Sequence, residues 1–316
     1  MFQIFSILLP IFGLIAAGYI SRKTKVMGAT AASELNRFVV WLALPALLFD
    51  IMANSHWSAL YLPDFISVYL LGSMGVFVLV LVWRLKQGHR LADASIDSVS
   101  AAYSNAAYIG FPLLFLTFGT SSHVPTTLAS IIVVSVVFAM AVVLIEIGLQ
   151  AEGSIKLKVK KVLKSVLLHP LILAPIAGVG VASLSISMPQ AVETFLKFLG
   201  NAASPAALVS LGLFLADAKV AAQQVPSQSK TTPWILTVMK LIGQPLLVAW
   251  LALGVFQMDR ELAMMAILLA ALPTGTGPFM LAELYGREAL VTAQTVLFST
   301  VMSLMTLSIL LYWMPH

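Results

Sequence analysis

From Phe2 to Trp313 the chain is a succession of ten apolar runs, each close to one bilayer thickness long. A membrane-spanning helix needs about 20 such residues. The runs read as Phe2–Ile20, Ser33–Ala53, Asp64–Leu85, Ile96–Phe118, Thr127–Leu149, Ser165–Leu184, Ala191–Ala216, Pro233–Phe256, Glu261–Leu284 and Ala289–Trp313. With 60% hydrophobic and 10% charged residues, the chain is far more apolar than a soluble domain. In hydrocarbon, backbone polar groups must be satisfied internally, so the pattern predicts an all-α polytopic membrane protein. The start, Met1-Phe-Gln-Ile-Phe, lacks a basic leader, and the first run is read as a permanent span.

The basic residues give the expected orientation. Arg22, Lys23 and Lys25 follow span one, and Arg84, Lys86 and Arg90 follow span three. Lys156, Lys158, Lys160, Lys161 and Lys164 follow span five, Lys219 and Lys230 follow span seven, and Arg287 follows span nine. Even-numbered connections carry only Arg260, beside Asp259 and Glu261. The positive-inside rule then puts odd loops in the cytoplasm and both termini outside. The net charge of +5 comes from basic residues in short loops between apolar runs, which in a membrane protein means orientation rather than nucleic-acid binding. There are no cysteines, so disulfides and thiolate metal sites are ruled out.

Two spans are interrupted. Within Ser98–Gly119 the break reads Asn105-Ala-Ala-Tyr108-Ile-Gly110-Phe-Pro112. Within Arg260–Gly286 it reads Pro273-Thr274-Gly275-Thr276-Gly277-Pro278. Proline removes a backbone donor and glycine weakens a helix. Freed backbone groups at membrane depth are tolerated only inside protein or along a cavity. Paired interruptions in corresponding spans point to a carrier's binding site at the midplane. The halves also match internally: Glu34 precedes Pro45 as Glu193 precedes Pro205, and Pro112…Gly119 parallels Pro278…Gly286. This predicts residues 1–150 and 165–316 as two inverted five-helix repeats, with 151–164 as a basic cytoplasmic linker.

A broken helix presents bare amides carrying roughly half a positive charge, which can accept an anion without a buried lysine. The amides at Gly110–Leu113 and Gly277–Met280 are the expected carboxylate holders, with Asn105 as a side-chain donor at one break and Thr274 and Thr276 at the other. The same residues have plain structural readings. Asn105 could bond carbonyls freed by Pro112, and a threonine can satisfy its own helix. Asp50 is either an interfacial residue or a proton- or sodium-linked carboxylate. Lys240 either snorkels to the cytoplasm, or neutralises a carboxylate substrate or the C-terminal end of a broken helix. Glu34 and Arg37 are expected to pair, and Glu146 and Glu283 to be solvated. Trp57, Tyr61, Trp83, Trp234 and Trp313 lie near span ends, as belt residues do. The five histidines are scattered, and no phosphate-binding loop is present, so the sequence argues against an enzyme, a metal site or a cofactor.

Five segments in order resemble one family. They are Leu35-Asn36-Arg37-Phe38 with Ala43-Leu-Pro45-Ala-Leu-Leu-Phe49; Ser104-Asn105 through Gly110-Phe-Pro112; His169-Pro170-Leu-Ile-Leu; Lys240-Leu-Ile-Gly-Gln-Pro245; and Ala271-Leu-Pro273-Thr274 with Leu281-Ala-Glu283-Leu-Tyr-Gly286. Together they are similar to the auxin efflux carriers, which include plant and bacterial malonate-type members. The resemblance implies ten helices as two inverted repeats, with helices four and nine crossing, as in bile-acid and sodium/proton carriers. Helices one, two, six and seven would form a scaffold, often dimeric, and the others a transport domain moving as an elevator. It implies a small organic anion as substrate, such as malonate, a possible coupling ion (proton or sodium), and residence in a bacterial cytoplasmic membrane. Site residues would be Asn105, Tyr108, Gly110, Pro112, Pro273, Thr274, Gly275, Thr276, Gly277 and Pro278. One departure is that family members usually carry a polar residue, often asparagine, where Gly277-Pro278 stands here. The alternatives are a cation/proton antiporter of the same fold, an intramembrane hydrolase, or a membrane sensor that does not transport.

Overall fold

Every apolar run is mainly helical where it is described, and two of them are interrupted, at 103–105 and 271–276. The computed structural model describes residues 2–54, 61–149, 168, 170–184, 187–221 and 231–313, with side chains left out at 2–8, 108 and 218–221. The basic linker 151–164, Trp57, His56, His169, Lys230 and His316 fall outside the described residues. In chain order the helices are α1 (Phe2–Lys23), α2 (Ala31–Ala53), α3 (Pro63–Lys86), α4 (Leu91–Ala102), α5 (106–118), α6 (123–149) and α7 (Pro170–Ser183). They continue as α8 (Gln190–Asn201), α9 (Ala203–Ala221), α10 (Thr232–Val255), α11 (Arg260–Ala270), α12 (Gly277–Leu284) and α13 (Ala289–Trp313). Among the described residues there is no strand, only a single antiparallel bridge between Ser104 and Thr274.

Six helical stretches are long and apolar enough to cross a membrane by length and composition alone. The longest, Phe111–Leu149, is divided between two helices, because Gly119 takes a positive φ of 66° and α6 folds back along α5. With Leu71, Leu79, Trp250 and Met305 more than half exposed along the outer faces, the surface is suited to lipid rather than water.

Packing sorts the helices into two groups. One contains α1, α2, α7, α8 and α9; the other contains α3 to α6 and α10 to α13. Hydrophobicity does not draw helices together in lipid, so close backbone approach has to. Helices α1 and α9 show it: a methyl group at Gly18 or Gly212 would overlap the carbonyls of Val209 or Ile15. Salt bridge Arg22–Asp217, at 2.7 Å, closes the same pair near its end. Between the groups, the one side-chain hydrogen bond among the described residues runs from Asn36 Nδ2 on α2 to the Met280 carbonyl on α12, at 3.3 Å.

Both interruptions fall earlier than the sequence predicts. The first break was expected over 105–112, but α4 ends at Ala102 and helix resumes at Ala106. Gly110 and Pro112 therefore sit inside α5. The wide i→i+5 turn at Ala106–Gly110 takes up the strain that Pro112 would otherwise put on the helix. The second break was expected over 273–278, but it spans 271–276, and Gly277-Pro278 opens α12, where a proline lacks no needed amide. The Glu34–Arg37 pair is also corrected: both are exposed and no ion pair joins them. Glu146 is not simply solvated, since it accepts from Tyr285 Oη at 2.8 Å.

Candidate functional site

The two unwound segments cross and pair. The Asn105 amide donates to the Pro273 carbonyl at 2.9 Å, and the Gly275 amide donates to the Tyr103 carbonyl at 3.0 Å. A short antiparallel ladder thus satisfies backbone groups that neither broken helix can satisfy alone. The Tyr103 ring lies over the second segment and packs edge-on against Phe138, 5.8 Å between centroids. An added Cβ would come within 2.8 Å of that ring at both Gly275 and Gly277. Glycine at these positions is set by the tyrosine.

Four helix ends meet at the crossing, and they divide by sign. The carbonyl ends of α4 and α11 are both covered by α10: Gln244 Nε2 donates to Ala102 O at 3.3 Å and to Ser73 Oγ at 3.1 Å, and Lys240 Nζ donates to Ala270 O at 2.6 Å. Lys240 is fully buried, so it does not snorkel to the surface, and it lies at the carbonyl end of a broken helix. The amide ends of α5 and α12 instead face a shared cavity. Not all of the expected amides are open to it: Ala106 N donates to Ser104 O at 2.8 Å, Gly110 N to Asn105 O at 3.2 Å and Met280 N to Thr276 O at 3.0 Å, so the amide holders expected at Gly110 and Met280 are already bonded within their own segments.

That cavity is lined at the crossing by Tyr103, Ser104, Asn105, Ala106, Ala107, Gly275, Thr276 and Gly277. Its far wall is Val39, Leu44 and Leu47 of α2, Ala203, Ser204 and Ala207 of α9, and Ser130 and Val133 of α6. Both helix groups therefore contribute to it. Its volume is about 20 Å³, room for about one water molecule. No charged side chain is among the lining residues.

The predicted site residues separate here. Asn105 lines the cavity and is 9% exposed. Gly275, Thr276 and Gly277 line it too. Thr274 does not: its hydroxyl donates to Ser100 O at 2.9 Å and its amide to Ser299 Oγ at 3.1 Å. Gly110, Pro112, Pro273 and Pro278 shape the two segments without lining the cavity. Tyr108 lies in the first turn of α5, and its side chain is outside the described residues. Asp50 is away from the cavity, holding Asn54 Nδ2 at 2.8 Å. No set of three or more metal-ligating side chains occurs among the described residues.

Three features escaped the sequence reading. Gln244 was visible only as part of a motif, and its symmetry with Lys240, one turn away, carries the signal. Asn36 likewise stands in a motif, but nothing local shows that it reaches α12. The third is a buried ion pair, Arg84 Nε to Asp97 Oδ2 at 2.5 Å, with Asp97 fully enclosed. Arg84 also donates to Gln87 Oε1 at 2.9 Å and lies 3.4 Å from His89 Nδ1. A separate cavity of about 290 Å³ adjoins this cluster between Trp83, Arg84, His89 and Thr232.

An all-helical membrane protein with two interrupted helices crossed over a neutral, amide-lined cavity has the layout of a carrier. The chain belongs to the family described as “Membrane transport protein”, which it matches over residues 3–311. That is the auxin efflux carrier group its motifs resemble. A Rhizobium meliloti (strain 1021) relative named “Putative malonate transporter” is 30% identical over 314 residues, covering 99% of this chain and 96% of the relative. An Escherichia coli (strain K12) relative, “Uncharacterized transporter YfdV”, is 24% identical over 87% of this chain and 86% of its own length. The mouse “Lysosomal cholesterol signaling protein” is 27% identical over 95% of this chain but only 36% of that protein.

Proposed function

We propose that the protein is a secondary carrier for a small organic anion, a carboxylate such as malonate, in a bacterial cytoplasmic membrane. The observation that carries this reading is the sorting of helix ends at the crossing. Carbonyl ends are capped by α10, and the first turns of α5 and α12 border the cavity at Ala106, Ala107 and Gly277, with Asn105 beside them. Each amide end carries roughly half a positive charge, so two of them complement one carboxylate without a fixed cation. A site built from dipoles binds an anion and also lets it go.

In this reading the chain spans the membrane ten times as two inverted repeats, residues 1–150 and 165–316, with both termini outside. The group of α1, α2, α7, α8 and α9 is the scaffold, through which two copies pair as a homodimer. The other group carries the substrate as an elevator. The narrowness of the cavity fits a closed intermediate, since a dicarboxylate needs more than the space of one water. Sliding of the two groups would widen it, and the cavity wall and the Asn36–Met280 contact would then rearrange together.

The test is uptake of labelled malonate and related carboxylates into proteoliposomes under imposed proton, sodium or voltage gradients. Saturable uptake of a carboxylate is the expected result. Transport of a metal cation with no carboxylate flux would replace this reading with an antiporter. The mouse relative's name as a signaling protein favours one other reading, a sensor that binds without transporting, and binding with no flux under any gradient would select it.

A further inference from the structure

The larger cavity, about 290 Å³, lies away from the crossing, where the end of α3 meets the start of α10, and has room for about ten water molecules. Arg84, Gln87, His89, Thr231 and Thr232 give it a polar lining, and Trp83 and Ile235 an apolar one. None of these lining residues is acidic. Arg84 is 4% exposed and lies over the Trp83 ring, 5.4 Å from its centroid. Of its five N–H groups, one donates to Asp97, one to Gln87 Oε1, and one faces His89 Nδ1. The guanidinium therefore keeps donors beyond these three contacts.

The start of α10 adds partial positive charge on the other wall. The helix runs 24 residues, and its N-cap, Thr231, makes no side-chain capping hydrogen bond. At α11, by contrast, the N-cap Asp259 sets a carboxylate against the amides of Glu261 and Leu262. The amide end of a helix favours an anion, and no carboxylate of the lining answers it at α10. Lys86 and Arg90, both exposed, flank the turn that carries Gln87 and His89. From this polar mouth an apolar track leads away. Ile235 begins an exposed stripe with Val238 and Ile242 on α10, and Leu79 and Val82 are exposed on α3. Val76, Val80, Leu236 and Met239 close the seam between the two helices.

A polar pocket at the head of an apolar track suits an anion that carries chains. We propose that this cavity seats the phosphate of an anionic phospholipid, with its acyl chains along the exposed faces of α3 and α10. The positive-inside reading puts the α3–α4 turn at the cytoplasmic leaflet, where basic pockets between helices take such headgroups. The site is separate from the crossing and does not depend on what is carried there. Its walls belong to one helix group, so the lipid ties the ends of α3 and α10 together rather than bridging the two groups.

Delipidated full-length protein in detergent is titrated with phosphatidylglycerol. Parallel arms use diacylglycerol, which has the chains without the phosphate, and inorganic phosphate, which has no chains. Bound lipid is counted by native mass spectrometry, and stability is read as the unfolding temperature. Wild type is expected to retain phosphatidylglycerol and to unfold several degrees higher with it, while neither other probe shifts the transition at the same concentration. Thr231→Asp gives α10 the carboxylate that α11 has, so the lipid-free variant should be at least as stable as wild type and bind the lipid about tenfold more weakly. Gln87→Glu places a carboxylate on the opposite wall beside Arg84 and is expected to weaken the lipid likewise; either variant decides if the other fails to fold. No retention by wild type, undiminished retention by the variants, or an equal shift with diacylglycerol overturns the proposal. An equal shift with inorganic phosphate also overturns it, by giving the pocket to a free anion.

Discussion

The amide of Gly275 donates to the carbonyl of Tyr103 across 3.0 Å, and the Tyr103 ring occupies the space where a side chain on Gly275 would stand. One contact between the two interrupted helices thus holds their backbones together and forbids bulk at the same point. Gly275→Ala puts a methyl 2.8 Å from a ring that is itself wedged against Phe138. Overpacking of this kind costs about 1–3 kcal/mol. A lower unfolding temperature in detergent and weaker uptake are expected together, and Gly277→Ala should repeat both. An unchanged melting curve for both variants would mean that the ring is not fixed there.

Asn105 is one of the few polar side chains among the residues that line the cavity. A hydrogen bond to a charged group contributes about 1.5–3 kcal/mol, or roughly 10- to 100-fold in affinity. Asn105→Ala should raise the half-saturating carboxylate concentration by that factor with insertion and thermal stability intact. Asn105→Asp should be worse, since it sets a negative charge against an anion. Wild-type transport by the alanine variant would take Asn105 out of the site.

Arg84 and Asp97 form a pair in which neither side reaches water freely. Removing one partner of such a pair strands the other, at a cost of about 3–5 kcal/mol. Asp97→Ala should therefore yield little folded protein, whereas the double change Arg84→Met with Asp97→Leu should recover much of it. Size-exclusion profiles in detergent read the difference. Equal yields for the single and double variants would show that the pair matters little to stability.

His89 lies in the turn between α3 and α4, and its imidazole is held below its ordinary value, first by partial burial and then by the Arg84 guanidinium, against a smaller opposing pull from Asp93. Between the depressed folded value and the usual value near 6.5 the unfolded chain binds more protons than the folded one. Stability from this source is therefore complete above the usual value and declines as the pH falls through that window. Thermal melts from pH 8 down to 5 should show a decline that His89→Gln flattens. A wild-type and variant pair with parallel profiles would assign the acid sensitivity elsewhere.

Much of this protein is determined by neighbours along the chain. Runs of apolar residues have one outcome in a bilayer, helix, because the backbone must bond to itself. Proline and glycine clustered in two of those runs point to an interruption there, and Asn105, Gly275 and Thr276 do lie in the unwound segments. The positions of the breaks were another matter. The wide turn at Ala106–Gly110 absorbs Pro112, and the chain unwinds instead at Tyr103–Asn105, where Pro273 and Gly275 supply the missing partners. The separation of Thr274, turned to Ser100 and Ser299, from Thr276, turned to the cavity, was decided in the same way. So was the task of Lys240, whose carbonyl partner lies 30 positions away. Local pattern can say that a helix end will need a cap, but which side chain reaches it depends on how separate helices pack in three dimensions, and only the tertiary structure decides that.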